Sequence, residues 1–176
     1  MKYASIFRRI FAYLIDCLLV FLVFVTVSQL AFFVPLRHFV IGSEEWFKSG
    51  WHTEVYTFLT ISLPVWLYFI LFESSPWKAT LGKRLLKLQT VDSKTGDRIS
   101  LPQAILRTFI MMLPWELAHF TNNIPTPMWY TSNPGFRLGF AIIPLLVLVY
   151  IAVTQFTRRK QSLHDLVAKT VVIYTG

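Results

Sequence analysis

Residues 101–120, LPQAILRTFIMMLPWELAHF, decide the fold of this chain. The run is long enough to cross a bilayer as a helix, yet it carries Arg107, Glu116 and His119. Two readings are open: a full crossing, or a segment lying partly at the interface. Ser100 followed by Gln103 has the spacing of a capping box, which places a helix start at this point. The other long apolar runs are unambiguous. Residues 17–36, CLLVFLVFVTVSQLAFFVPL, follow IFAYLID and give about 30 Å of helix, the thickness of the hydrocarbon core. Lys2, Arg8 and Arg9 precede them as in a secretory signal, but a signal's apolar region stops at roughly 7–15 residues, so the run reads as an uncleaved span. Residues 55–72 and 138–156 are further spans, with Pro64 and Pro144 inside them. Proline is tolerated there when a neighbour satisfies the carbonyl it frees.

Charge resolves the open segment. If residues 101–120 cross, one side holds the N-terminus, the 73–100 loop and the tail 157–176. That side carries Lys2, Arg8, Arg9, Lys78, Lys83, Arg84, Lys87, Lys94, Arg98, Arg158, Arg159, Lys160 and Lys169. The opposite side has Arg37, Lys48 and Arg137. Such sorting follows the positive-inside rule and places both termini in the cytoplasm. The expected spans are therefore about 10–36, 55–72, 101–120 and 138–156, within a single domain, 1–176. Trp46, Trp51, Trp129 and Tyr130 are outer interfacial anchors in this arrangement.

Composition agrees. The chain has 176 residues, 55% hydrophobic and only 15% charged, with a net charge of +8. Soluble domains carry about 25% charged residues. A nucleic-acid binder needs more surface charge, and 16 Phe with 6 Trp exclude a disordered chain. The single Cys17 excludes a disulfide framework and a thiolate zinc site. In the cytoplasmic loop, residues 86–91 read as a strand, 92–96 as a turn with Gly96 at positive φ, and the residues up to 100 as a short return strand. The tail's TVVIY, residues 170–174, is a β-branched run able to pair with that hairpin. The fold class is an all-α membrane protein of four transmembrane helices, with a small cytoplasmic β-hairpin cap joined by a C-terminal strand.

Three separated stretches resemble the RDD family of membrane proteins, named for an arginine and two aspartates. RRIFAYLID (residues 8–16) supplies Arg9, Ala12 and Asp16. WKATLGKRLLKLQTVDSKTGDRISLPQAILR (residues 77–107) is similar to the family's stretch from a TxGKR element to an Arg-bearing helix. RRKQSLHDLVAKTVVI (residues 158–173) resembles the closing element and supplies the second aspartate, Asp165. The chain departs from the pattern at Lys78–Ala79 and Lys169, where the family usually has glycine. The resemblance implies a small helical membrane domain; members are mostly uncharacterised, and transport is the role usually suggested.

Arg9, Asp16, Arg107 and Asp165 form the candidate ion-coupling or structural charge network. Asp16 lies seven residues past Arg9, about 10 Å along the helix and on nearly the same face. Asp16 and Arg107 each sit about six residues into a span from the same side, so they should share a depth and form a buried pair. An intramembrane acid marks either a bundle lock or an ion site. Ser162 with Asp165 has capping-box spacing, with Arg9 or Arg84 as a partner for the acid. Lys78, Lys83, Arg84 and Lys87 are candidate contacts for anionic lipid headgroups, although orientation alone explains their charge. Glu116 and His119, at i and i+3, fall at the outer interface where both can be solvated, and a di-metal site needs more ligands than they supply. Gly82–Lys83–Arg84 resembles the end of a P-loop but lacks the first glycine and the Ser/Thr. No nucleophile–base set is apparent: Ser28 and Ser62 have no histidine near them in sequence. No enzyme, metal, cofactor or nucleic-acid partner is expected. The leading reading is a small transporter or transporter component for cations or protons. The alternative is a non-transporting scaffold or assembly partner with the Arg and Asp residues as structural pins. The partners are the lipid bilayer and either a second copy or another membrane protein.

Overall fold

The structure is a computed structural model that describes residues 2–35, 44–133 and 135–176. The end of the first expected span, at residue 36, and the outer Arg37 lie outside the described residues. β1 (Lys2–Tyr3) leads into α1 (Ile6–Leu19), which continues through π turns at Val20–Val25 and Gln29–Phe33. A 3-10 turn, Glu44–Lys48, precedes α2 (Gly50–Glu73), which contains a π segment at Phe58–Ser62. Then come α3 (Leu81–Leu85), β2 (Leu88–Asp92), α4 (Leu101–Asn123), α5 (Leu138–Phe156), α6 (Leu163–Val167) and β3 (Thr170–Tyr174).

Among the described residues, α2 and α5 are long and apolar enough to cross a membrane. Helix α4 is as long, at 23 residues, but is less apolar because it carries Arg107 and Glu116. On α5 the apolar side chains point away from the protein: Leu145 is 62% and Leu148 59% exposed. A soluble monomer does not leave such a face bare. Inside, Val20, Val25, Val65, Phe69 and Met112 form the bundle core, and Ala4, Ala12, Leu88 and Val172 pack between α1 and the sheet.

The helices are joined by polar contacts where proline interrupts them. Pro64 cannot donate to the carbonyl of Thr60, and Gln29 Nε2 of the first helix donates to that oxygen at 3.1 Å. Pro114 likewise frees the Ile110 carbonyl, which accepts from the Tyr150 hydroxyl of α5 at 2.5 Å. The expected neighbour rescue therefore takes place across helices.

The cap departs from the expected hairpin. Its sheet has the order β1-β3-β2, both pairings antiparallel, with Leu88 opposite Tyr174, Asp92 opposite Thr170 and Lys2 also opposite Tyr174. The return arm shrinks to a single bridge between Val91 and Arg98. The Asp92 carboxylate accepts from the N–H groups of Lys94 and Thr95, Gly96 takes φ 76°, and Ser100 then caps α4 with Gln103 in the expected box. The helix starts too soon for a second arm to form. β2 pairs instead with β3, whose other edge is taken by the two-residue β1.

Candidate functional site

Asp16 is fully buried on α1, but it does not pair with Arg107. Its Oδ1 accepts from the Tyr68 hydroxyl at 2.6 Å and the Gly82 N–H at 2.7 Å, and its Oδ2 from the Thr80 hydroxyl at 2.6 Å. Thr80 is also the N-cap of α3. The turn that resembles a P-loop thus does cradle an anion, the chain's own carboxylate. Gly82 is required by the contact, since a Cβ there would lie 2.2 Å from the Ala12 carbonyl oxygen. Equal depth did not make Asp16 and Arg107 neighbours, because the direction a side chain faces around its helix also decides contact.

Arg107 meets two other acids. Its Nη1 donates to Glu73 Oε2 at 2.6 Å and its Nε to Asp165 Oδ1 at 3.1 Å. Glu73 also receives Lys83, which donates as well to the Thr90 hydroxyl at 2.9 Å. Asp165 receives Arg9 at 2.6 Å and, as the capping box requires, the Ser162 N–H. Thr170 adds a hydroxyl to Asp165, and Arg9 reaches back to the Val172 carbonyl of β3. Burial alone would push the Asp165 carboxyl up, but Arg107, Arg9 and Lys83 hold it well below the usual carboxylate range. Burial pushes the neighbouring His164 down to about 3, so its imidazole is neutral.

The structure therefore joins Arg9, Arg107 and Asp165 in one cluster and holds Asp16 beside it. It adds Glu73 and Lys83, which sequence reasoning missed. Arg9, Lys83 and Arg107 balance Asp16, Glu73 and Asp165, and all six are buried or nearly so. Glu73 did carry a signal: an acid at a helix C-terminus opposes the dipole and asks for a cation. Lys83 had none, being one of a basic run. It is a correction to the lipid-contact set, because its ammonium is buried against Glu73 rather than free for headgroups. Of the remaining three, Arg84 lies 4.1 Å from the centre of the Trp77 ring rather than on Asp165. Lys78 and Lys87 hold the left-handed conformation, φ 55°, with carbonyls that accept from Thr90 and Thr175. Lys169 takes the same φ, so lysine fills left-handed positions at both sites where glycine was expected.

A cavity of about 520 Å³ lies among α1, α4 and α5, and Asp16, Lys83, Arg107 and His164 border it. Farther along the bundle, Ser62 Oγ approaches His119 Nδ1 to 3.3 Å and Trp66 Nε1 donates to Glu116 at 2.9 Å. Glu116 and His119 are half-buried against α2 rather than solvated, and the chain brings Ser62 and His119 together across 57 positions. No group of three or more potential metal ligands occurs among the described residues. At the other end, the Arg137 guanidinium donates to the carbonyls of Thr121, Asn122, Ile124 and Thr126 and closes the C-terminus of α4.

Fold and cluster together define a helical membrane protein whose loop, tail and first helix are fastened by buried charge. The chain belongs to the RDD family, whose model matches residues 3–169, and RDD proteins are membrane proteins. It is similar to the uncharacterized protein YxaI of Bacillus subtilis (strain 168), 27% identical over 183 residues and 98% of each chain. No solved structure matches it.

Proposed function

We propose that this chain is a multi-pass protein of the cytoplasmic membrane with four crossings and both termini in the cytoplasm, and that it serves as a scaffold or assembly partner. One sheet holds residues 2–3, 88–92 and 170–174 side by side, so all three lie on one face of a membrane. Crossings between them then come in pairs: if α2 crosses, so does the helix begun by α1, and if α5 crosses, so does α4. The thirteen basic residues of the N-terminus, the 73–100 loop and the 157–176 tail, which hold these strands, favour the cytoplasm for that face. The observation that carries the scaffold reading is the compensation of the cluster. Each aspartate and glutamate in it is met by cations or by fixed donors, and a permanently paired carboxylate is a poor ion carrier. Arg9, Asp16, Arg107 and Asp165 are then pins that bind loop and tail to the bundle. Partner surfaces are the lipid-facing helices, for a second copy or another membrane protein, and Arg84 and Lys87 for anionic headgroups. The transport reading keeps one observation of its own, the cavity that Asp16 and Arg107 border.

Purified protein in liposomes separates the two. The scaffold reading expects no ion flux over a scan of cations and pH, with Asp16→Asn and Arg107→Ala both lowering stability. Ion-dependent flux in the wild type, lost in a folded Asp16→Asn, would overturn it.

A further inference from the structure

Ser62 lies twelve residues into α2, about 18 Å along a helix of about 36 Å, so it stands at mid-depth of the bundle. It is fully buried and ends the π segment, with Pro64 two residues on. Departures of this kind from regular α geometry are frequent at functional sites. Glu116 of α4 faces this point. Among the described residues it forms no ion pair, in contrast to Glu73 and Asp165. It also differs from Asp16, whose carboxylate is met by three donors, one of them a backbone N–H. Glu116 has one fixed donor, the Trp66 indole N–H, which can only donate. Its other neighbour, the Ser62 hydroxyl, leads on to the His119 ring, and both of those can donate or accept. The groups facing Glu116 are Ser62 and Trp66 from α2, His119 from its own helix and, farther off, the Glu54 carboxyl near the start of α2.

We propose that Glu116, Ser62 and His119 form a proton-binding site at mid-depth of the bundle, in which uptake of a proton by Glu116 reverses the hydrogen-bond chain to His119. With the carboxylate ionised, His119 Nδ1–H donates to Ser62 Oγ, and the Ser62 hydroxyl donates to Glu116. With one proton added to the carboxyl, its O–H donates to Ser62 Oγ and the Ser62 hydroxyl turns to donate to Nδ1. The imidazole carries one proton in both states: the proton taken up enters at Nε2, the Nδ1 proton passes to Ser62 Oγ and the Ser62 proton passes to Glu116, a net gain of one. Trp66 donates to Glu116 throughout. Among the described residues, Ser62, Glu116 and His119 share no hydrogen bond or ion pair with the charge cluster that carries the scaffold reading, so this inference goes beyond that reading and does not depend on it.

The test is infrared spectroscopy of the full chain in liposomes, titrated in pH, with ¹⁵N NMR of the histidines. Wild type should show a carboxylic-acid C=O band that grows and vanishes reversibly, in step with a change of His119 tautomer. Glu116→Gln, which keeps an acceptor for Trp66, should lose the band, and Ser62→Ala should keep it while uncoupling it from the tautomer. Glu116→Asp should move the band in frequency and serves if the glutamine variant fails to fold. A band that survives Glu116→Gln and is unmoved in Glu116→Asp, or a His119 tautomer constant through the titration, would overturn the proposal.

Discussion

Gly82→Ala gives the sharpest test of how the loop is fastened to the first helix. In an ordinary helix this exchange stabilises by roughly 0.5–1 kcal/mol, because glycine loses more backbone entropy on folding. Here the new methyl would sit 2.2 Å from the Ala12 carbonyl oxygen and 2.9 Å from Asp16 Cγ, so α3 has to move off α1. Overpacking of this kind costs about 1–3 kcal/mol. The same shift lengthens the 2.7 Å hydrogen bond from the Gly82 N–H to a buried carboxylate, worth about 1.5–3 kcal/mol. Set against the propensity gain, the expected net loss is about 2–5 kcal/mol, opposite in sign to the helix-propensity effect. Denaturant titration in detergent micelles, followed by tryptophan fluorescence, measures it. Combining the change with Asp16→Asn should recover part of the loss, since the two alter one interaction. A Gly82→Ala protein as stable as wild type, or additive losses in the double variant, would refute the reasoning.

Arg107→Ala leaves Glu73 and Asp165 short of a cation in a buried cluster and should cost about 3–5 kcal/mol in the same assay; a loss under 1 kcal/mol would show that water reaches them. Lys169→Gly relieves a left-handed residue at φ 55° and should stabilise by about 1 kcal/mol, whereas a neutral or negative result would mean that the lysine side chain compensates. Tyr150→Phe strands the Ile110 carbonyl beside Pro114 and should cost about 1–3 kcal/mol, read as a lower unfolding midpoint. His164 is held at about 3 when folded against 6.5 when free. Between those values the unfolded chain binds the extra proton, so stability should fall as pH drops from about 6.5 towards 3, by at most about 1.4 kcal/mol per unit. His164→Gln should flatten that slope, leaving the loss that sets in near 3.8 as Asp165, depressed when folded, becomes protonated in the unfolded chain.

What could be read from the sequence was local or one-dimensional. Ser100 with Gln103 and Ser162 with Asp165 lie within one turn of each other, and both boxes form as their spacing implies. The lengths and apolarity of α2 and α5 are likewise properties of continuous runs. The cluster is different because it depends on which way each helix faces. Depth along an axis placed Asp16 beside Arg107, but the turn at Thr80–Gly82 reaches Asp16 first, while Glu73 and Asp165 approach Arg107 from a helix end and from the tail. The site at Ser62 escaped for the same reason, since its histidine comes from α4, separated from α2 in the chain by α3 and β2. β1 has two residues and no pattern of its own, existing only because β3 offers it an edge.

The strand order also sets a timetable. A ribosome makes β1 first, β2 next and β3 last, yet β3 is the strand between the other two. While the earlier segments emerge, Arg9 and Arg107 wait without Asp165, and the edges of β1 and β2 wait without a partner. Only when residues 163–174 are released can the cap close, in one late step that unites the beginning, middle and end of the chain. A nascent chain stalled before that point would hold Arg107 by Glu73 alone and leave Arg9 without its acid, so the last residues made complete the charge balance of the first helix.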